Sequence, residues 1–327
     1  MIINLVYTPG MVRYLSLFLL SIIESSSNEL QFRLINNGCT KDEREVIYKI
    51  HKIFPMKTIF VDFQCCGNVS LHGTLLDTIF HEDYNDSDID FLFMDSDIYA
   101  KGLYEHEIRQ NSKSVDAYFS CLPIWVKHEY LIIQSDSKQI GGPNCFSSNN
   151  IPLGASYFAY YKNEVVKEII SKENISFRKY NLSDLDADNM HYLRKNELLK
   201  EEYDTAKLFN IMLHKHGKST LLKDIYNLKH IGGLSINALS TTHKENNTDS
   251  KLSSHVNYGH FRMWMDNKKS TCDTVTKHLS NLIDGSRFLI DTTSISDDNL
   301  RFEVSHVLED ISGLYKEFGK TIRTIVR

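Results

Sequence analysis

The chain has no pair of cysteines at C-x-x-C spacing, no apolar run approaching a membrane span, and no excess of positive charge. Each absence excludes something. Cys39, Cys65, Cys66, Cys121, Cys145 and Cys272 are scattered, which argues against a zinc site or a disulfide framework and suits a reducing cytosol. The adjacent Cys65-Cys66 reads as small buried side chains at a strand end, with a redox pair as the alternative. Residues 14–23 are apolar, but a spanning helix needs about 20 such residues. With no cleavage-site pattern after them, they read as a core helix. A net charge of −5 gives no global electrostatic reason to expect nucleic acid. The sequons at Asn68, Asn174, Asn181 and Asn246 read as Asn-rich composition in a chain without a signal sequence.

What is present is ordinary for a folded protein: 42% hydrophobic and 24% charged residues in 327, enough to bury one large core or two modest ones. The first half alternates strand-like and helix-like segments. Strands are expected at residues 2–7, 30–35, 57–63 and 88–94, and helices at 11–24, 40–53 and 70–81. Thr40 followed by Glu43 is a capping-box pattern. Repeated βα units of this length imply a mostly parallel sheet with helices on both faces. Further strands are expected at 117–120, 130–134 and 156–161, a loop at 143–152, and helices at 163–171 and 201–216. Residues 241–254 read as a flexible excursion before two terminal helices, at about 271–283 and 299–326.

The most informative feature is Asp95-Ser96-Asp97, which closes the apolar run Phe91-Leu92-Phe93-Met94. On a strand, residues i and i+2 point to the same side. Two carboxylates at a strand end can hold a hard divalent cation, whose remaining ligands can come from substrate phosphates. Asp-x-Asp is also frequent in solvated turns. In such sheets ligands sit beyond the carboxyl ends of the strands, where Asp95 and Asp97 fall.

Four segments in order carry a resemblance. They are Leu5-Val6-Tyr7-Thr8-Pro9-Gly10 with its following helix, Leu34-Ile35-Asn36-Asn37-Gly38-Cys39, Phe93-Met94-Asp95-Ser96-Asp97, and Tyr203-Asp204-Thr205-Ala206-Lys207 with His230-Ile231-Gly232-Gly233. The chain resembles the nucleotide-sugar-dependent glycosyltransferases of the GT-A fold, close to the bacterial family-2-like polysaccharide enzymes. The resemblance spans roughly residues 1–235. It implies an α/β fold, with a Rossmann-like mixed, mostly parallel sheet and a C-terminal helical extension. It divides the chain into a catalytic unit at 1–235 and an extension at 236–327. Within the first, residues 1–100 hold the nucleotide-sugar and 101–235 the acceptor.

The resemblance further implies Mn²⁺ or Mg²⁺ held by Asp97, with Asp95 reaching it through water or a ribose hydroxyl, and His230 as third ligand or diphosphate donor. A structural histidine at a turn is the plainer account of His230. Asp204 is the candidate base for the acceptor hydroxyl, with Glu202 or Glu201 as alternatives, and an inverting mechanism follows from such a base. As a residue alone, Asp204 is also fully explained as a helix cap. Thr8, Pro9, Asn36, Ser70, His72, Ser96, Gly232 and Gly233 are candidates for the nucleotide-sugar pocket, the two glycines because they would let backbone approach a phosphate. Asn36 departs from the acidic residue commoner in the family at that place. Tyr157 to Tyr161 reads as a core strand or a sugar-stacking platform.

The implied partners are a nucleotide-diphosphate sugar and a glycan or lipid-linked acceptor, without nucleic acid, in cytoplasmic synthesis of surface polysaccharide such as lipopolysaccharide. Lys316, Lys320, Arg323 and Arg327 lie among apolar residues. They suggest peripheral contact with the inner membrane face, against a solvated helix face or a homo-oligomer contact. Two rival readings stand beside this one. Ser87-Asp88-Ile89-Asp90 after His72-Gly73-Thr74 resembles a polymerase-β-like nucleotidyltransferase, with Asp88 and Asp90 as the metal pair. A non-catalytic carbohydrate-binding protein could share the same fold.

Overall fold

The computed structural model describes residues 1–64, 66–133, 137–234, 258–285 and 292–326. The chain opens with β1 (Ile2–Tyr7), α1 (Val12–Glu24), β2 (Gln31–Asn37), α2 (Lys41–Ile53), β3 (Thr58–Gln64), α3 (His72–Ile79) and β4 (Phe91–Met94). There follow β5 (Ile98–Ala100), α4 (Glu105–Ser112), β6 (Ala117–Ser120), β7 (Gln139–Ile140), β8 (Phe158–Tyr161), α5 (Asn163–Glu173), β9 (Tyr180–Asn181) and α6 (Ala187–Lys195). The remainder is β10 (Glu202–Tyr203), α7 (Lys207–Lys215), β11 (Thr220–Leu222), β12 (Leu228–His230), α8 (Tyr258–Asp284) and α9 (Asp298–Ile325).

Seven strands form one sheet in the order β11-β6-β8-β4-β1-β2-β3. Every neighbouring pair is parallel except the two made by β8, which runs antiparallel between β4 and β6. The mixed, mostly parallel α/β sheet with helices on both faces, expected from the sequence, is the one observed. The reason is the two-residue period of a strand. Leu92 and Met94 of β4, with Ile3 and Leu5 of β1, face the core built on α1, α8 and α9. Phe91 and Phe93 face the other core, with α3, α5 and α7. There Phe177 lies 4.9 Å from Phe91, 4.7 Å from Phe209 and 5.3 Å from Tyr161, pairings worth about 0.5–1.5 kcal/mol each beyond burial.

The Thr40 capping box is present. Glu43 N–H donates to Thr40 Oγ1 at 3.3 Å and Thr40 N–H to Glu43 Oε2 at 3.1 Å. The other Glu43 oxygen accepts Gly10 N–H at 2.6 Å, so one side chain starts α2 and ties it to the end of β1.

Several expected elements differ. Residues 128–131 form a single tight helical turn, not part of a strand, because Tyr130 N–H bonds back to Lys127. The helix expected from residue 201 begins only at Lys207. Glu202–Tyr203 pair with β7 and β9, and Ala206 adopts φ +61°, which interrupts any helix before it. The helix expected at 271–283 starts much earlier, at Tyr258. Cys66 is exposed rather than buried. Cys65 and the excursion at 241–254 lie outside the described residues.

Leu300, Val304, Val307, Leu308, Ile311, Ile322 and Ile325 form the buried stripe of α9. Each contributes about 1.5–3 kcal/mol by leaving water. Lys316, Lys320 and Arg323 are on its exposed side. The apolar stripe is therefore spent on the protein's own core rather than offered to lipid. No helix among the described residues is long and apolar enough to cross a membrane.

Gly38 and Gly217 both have positive φ, +80° and +63°, but differ in surroundings. A methyl at Gly38 would meet the Asn68 carbonyl oxygen at 2.2 Å, whereas one at Gly217 would meet nothing within 4 Å. Gly217→Ala should cost about 1 kcal/mol, the left-handed penalty alone. Gly38→Ala should cost more, about 2–3 kcal/mol. Urea unfolding midpoints of the two variants check the order, and equal losses would contradict it.

Candidate active site at the carboxyl edge of the sheet

β4 ends at Met94, and the chain turns through Asp95, Ser96 and Asp97 into β5. A separate two-stranded ribbon then pairs β5 antiparallel to β12, with Ile98 opposite His230. That register sets the site. Ile231 N–H donates to the Asp97 carbonyl at 3.1 Å, and the His230 side chain is brought over the acidic turn.

His230 is 1% exposed, with both ring nitrogens committed. Nδ1 lies 2.7 Å from the carbonyl oxygen of Cys121, just past β6. A carbonyl only accepts, so Nδ1 carries its hydrogen. Nε2 then points at the carboxylates, 3.0 Å from Asp97 Oδ1 and 3.6 Å from Asp95 Oδ2. Asp97 is 3% exposed, and its second oxygen accepts Leu234 N–H at 2.9 Å. The ligand atoms of Asp95, Asp97 and His230 all fall within 4.8 Å of one another.

The electrostatics follow from burial and mutual charge. Burial alone would raise the Asp97 carboxyl, but His230 and the backbone N–H groups of Leu234 and Gly233 outweigh it and hold Asp97 below its ordinary range. Burial would likewise push His230 down, yet the Asp97 charge and hydrogen bond, with Asp95 behind them, carry it above its ordinary value. Asp95 is pushed upward, first by desolvation, against the pull of His230 and Lys268 and with Asp97 and Asp204 adding repulsion. Its side chain keeps 28% exposure against 5% for Asp97, so it is the more open of the two carboxylates.

Asp204 acts electrostatically on both Asp95 and His72. It does not cap a helix. It follows β10, accepts Thr205 N–H on Oδ1 at 2.7 Å, and lies so near Gly141 that a methyl there would approach its Oδ2 to 3.2 Å. Glu202 is paired with Lys179 at 2.7 Å and Glu201 with Lys138 at 3.4 Å. His72 opens α3 with its ring edge-on to Phe93 at 5.8 Å, and burial depresses it to about 4, so it is neutral near pH 7.

The other candidates sort by what their polar atoms already do. Thr8 and Pro9 lie half-buried at the end of β1, on the same edge. Ser96 is buried within the acidic turn. Ser70 is braced by a reciprocal pair with Asn37, its N–H donating at 3.0 Å and its carbonyl accepting at 2.9 Å. Asn36 is 2% exposed. Its amide donates to Asp62 and Gln64, and its oxygen accepts Cys39 N–H, so its hydrogen-bonding capacity goes to the turn. Gly232 and Gly233, expected to make room for a phosphate, make room for the protein. A methyl on Gly232 would meet Pro123 at 2.5 Å, and one on Gly233 would meet Lys268 Cε at 2.4 Å.

Among the described residues, the rival pair Asp88 and Asp90 belongs to no group of three or more ligand side chains that could hold a metal. Asp90 accepts the Tyr160 hydroxyl at 2.6 Å and Asn163 N–H at 3.1 Å, at the opposite end of β4, while Asp88 is exposed. Sequence reasoning missed Lys268, Trp125 and Trp264. The one available signal was Trp264 and Lys268 at helical i, i+4 spacing, hidden because the helix was expected to begin after them.

No family model matches the chain, and no curated protein matches it. Among solved structures it is similar to the mannosyltransferase PcManGT from Pyrobaculum calidifontis in complex with GDP-Man and Mn²⁺, at 9% identity over 99% of this chain and 84% of that one, TM-score 0.42. It is similar to residues 1–349 of S. aureus TarS, at 11% identity over 98% and 91%, TM-score 0.42. It is also similar to the galactosyltransferase LgtC in complex with donor and acceptor sugar analogs, at 10% identity over 68% and 73%, TM-score 0.38.

Proposed function

We propose that this chain is a metal-dependent glycosyltransferase that moves a hexosyl group from a nucleoside-diphosphate sugar to a glycan or lipid-linked acceptor, with inversion. The observation that carries the reading is the convergence of Asp95, Asp97 and His230 at the carboxyl edge of the sheet, where open α/β sheets bind their ligands. The place in cytoplasmic surface-polysaccharide synthesis follows the resemblance of the sequence motifs.

The donor set suits a hard divalent ion: two carboxylates and one imidazole whose tautomer is fixed by a carbonyl on its far nitrogen. Asp97, His230 and Asp95 would hold Mn²⁺ or Mg²⁺, which when bound supplies positive charge to the departing diphosphate. Asp97 is immobilised on both oxygens and sets the position. Asp95, more exposed and less anchored, can turn toward a ribose hydroxyl or water. Thr8, Pro9 and Ser70 border the nucleotide side, and neutral His72 offers a hydrogen bond without adding charge. Asp204 takes the proton of the acceptor hydroxyl as its oxygen bonds to the anomeric carbon and the bond from that carbon to the diphosphate oxygen breaks.

Mn²⁺ alone should raise the thermal midpoint of the protein, and Asp97→Asn should abolish that shift. The effect should depend on pH in a stated direction. His230 is raised above its ordinary 6.5, so the stability its charged form lends the metal-free protein is complete below that value and is lost as pH climbs through the raised one. The metal needs the unprotonated Nε2, so the Mn²⁺ shift should grow over the same interval. A shift that shrinks with rising pH would contradict the assignment of His230.

A thermal-shift panel of UDP-, GDP-, CMP- and dTDP-sugars with and without Mn²⁺ tests the function itself. One nucleotide class should stabilise the protein only with metal, and no stabilisation in any condition would sink the reading. With the donor found, Asp204→Asn should lower kcat by about 10²–10⁴ while nucleotide binding is retained.

A further inference from the structure

The last quarter of the chain, which no sequence motif connects to the acidic turn, sends one side chain over the neighbouring Gly233. α8 presents Lys268 and Cys272, one turn apart, to the Gly232–Gly233 turn, and Trp264, one turn earlier, packs against Trp125 at 5.9 Å. Cys272 Sγ lies 3.4 Å from the Gly232 carbonyl oxygen, which also accepts Trp125 Nε1–H at 2.8 Å. Between them the Lys268 stem passes over Gly233. A methyl built there would come within 2.4 Å of Lys268 Cε and 3.3 Å of Nζ. Gly233 has φ +97°, so glycine is required twice, for its backbone and for the passage of the lysine.

Past the turn, Nζ stands 5.6 Å from the Trp125 ring centre and 6.0 Å from that of Trp264. Indole faces attract an ammonium while removing water from it. Gly233, over which the lysine passes, is followed by Leu234, whose N–H donates to Asp97 at 2.9 Å, so the ammonium stands on the turn that serves the acidic site. Among the described residues no carboxylate lies at ion-pairing distance from it. Charge balance says what such a cation is for. Asp95 and Asp97 together offset a divalent ion, so a nucleoside diphosphate bound to that ion brings negative charge that the metal and its two carboxylates leave uncompensated.

We propose that Lys268 is a catalytic residue whose ammonium hydrogen-bonds a non-bridging oxygen of the nucleoside diphosphate, so that α8 completes the active site. This rests on the glycosyltransferase reading. As the sugar leaves, the diphosphate oxygen that loses its bond to carbon gains charge, and a fixed, partly desolvated ammonium stabilises it more than bulk water would.

The test measures affinity for UDP, GDP, CDP and dTDP, and for the matching monophosphates, by titration calorimetry in Mn²⁺. It compares the full-length protein with Lys268→Met and Gly233→Ala. Lys268→Met keeps the stem between the indoles and removes the charge. It should weaken the diphosphate that binds by about ten- to a hundred-fold, affect the monophosphate much less, and leave the thermal shift by Mn²⁺ alone unchanged. Gly233→Ala should weaken the same diphosphate by displacing the lysine, with its backbone cost read separately from the metal-free thermal midpoint. Unchanged diphosphate affinity in Lys268→Met would overturn the role of Lys268 and leave the glycosyltransferase reading standing. Equal losses for mono- and diphosphate would also overturn it, marking the lysine as merely structural. No diphosphate binding by the unaltered protein would overturn both readings together.

Discussion

The contact between His230 and Asp97 is the constraint around which the site is organised. A buried carboxylate without partners is costly by several kcal/mol, and Asp97 has almost no exposure. Its two oxygens are answered by an imidazole and a backbone N–H. The imidazole is in turn fixed by a carbonyl at the end of β6. The imidazole and the N–H come from one later segment, 230–234, and the carbonyl from another, so the fold must bring three segments to one place to make the carboxylate tolerable. This is an expensive arrangement for structure alone, since breaking any member leaves a charge or a donor stranded in low dielectric.

The two glycines after His230 show how closely this centre is tied to the C-terminal helices. Gly232 lets Pro123 and Trp125 close over the turn, and Gly233 lets Lys268 pass. The space a phosphate might have been given is filled by protein atoms. The turn is therefore a joint: on one side it holds His230 and the N–H that serves Asp97, and on the other it seats α8. That helix and α9 share the core of α1, so the core beneath the sheet and the chemistry at its edge are mechanically continuous.

Much of this was legible in the sequence, for identifiable reasons. β1, α2 and β6 were readable because alternation, a capping box and helical periodicity are local signals. Asp95, Asp97 and His230, grouped by the resemblance of the ordered motifs, do converge in space, although more than a hundred residues separate the last from the first two. What was not readable depends on tertiary context. Nothing local shows that Ala206 takes a left-handed conformation, so Glu202 and Asp204 were assigned to a helix that begins after them. Asn36 was a candidate because of where it sits in the chain, yet its hydrogen bonds to Asp62, Gln64 and Cys39 become visible only when β2, the turn after it and β3 are placed together. Lys268 was lost because the polar, mixed start of α8 carries too little apolar periodicity to mark a helix.

β4 also shows why a motif has to be read with its strand direction. It has an Asp-x-Asp at each end, Asp88 and Asp90 before it and Asp95 and Asp97 after it, identical in spacing. By composition they cannot be told apart. In a sheet wound from βα units the carboxyl ends of the parallel strands splay open where the helices turn away, and that is the edge with room for a ligand. At the amino end, Asp90 meets the start of α5 and a tyrosine from β8, and its charge is absorbed in holding those elements together. At the carboxyl end, the same pair of side chains meets a histidine, and the charges of a lysine and a third aspartate act on Asp95 from other segments. The polarity of one four-residue strand thus decides that Asp90 is bonded into the fold while Asp95 and Asp97 converge with His230.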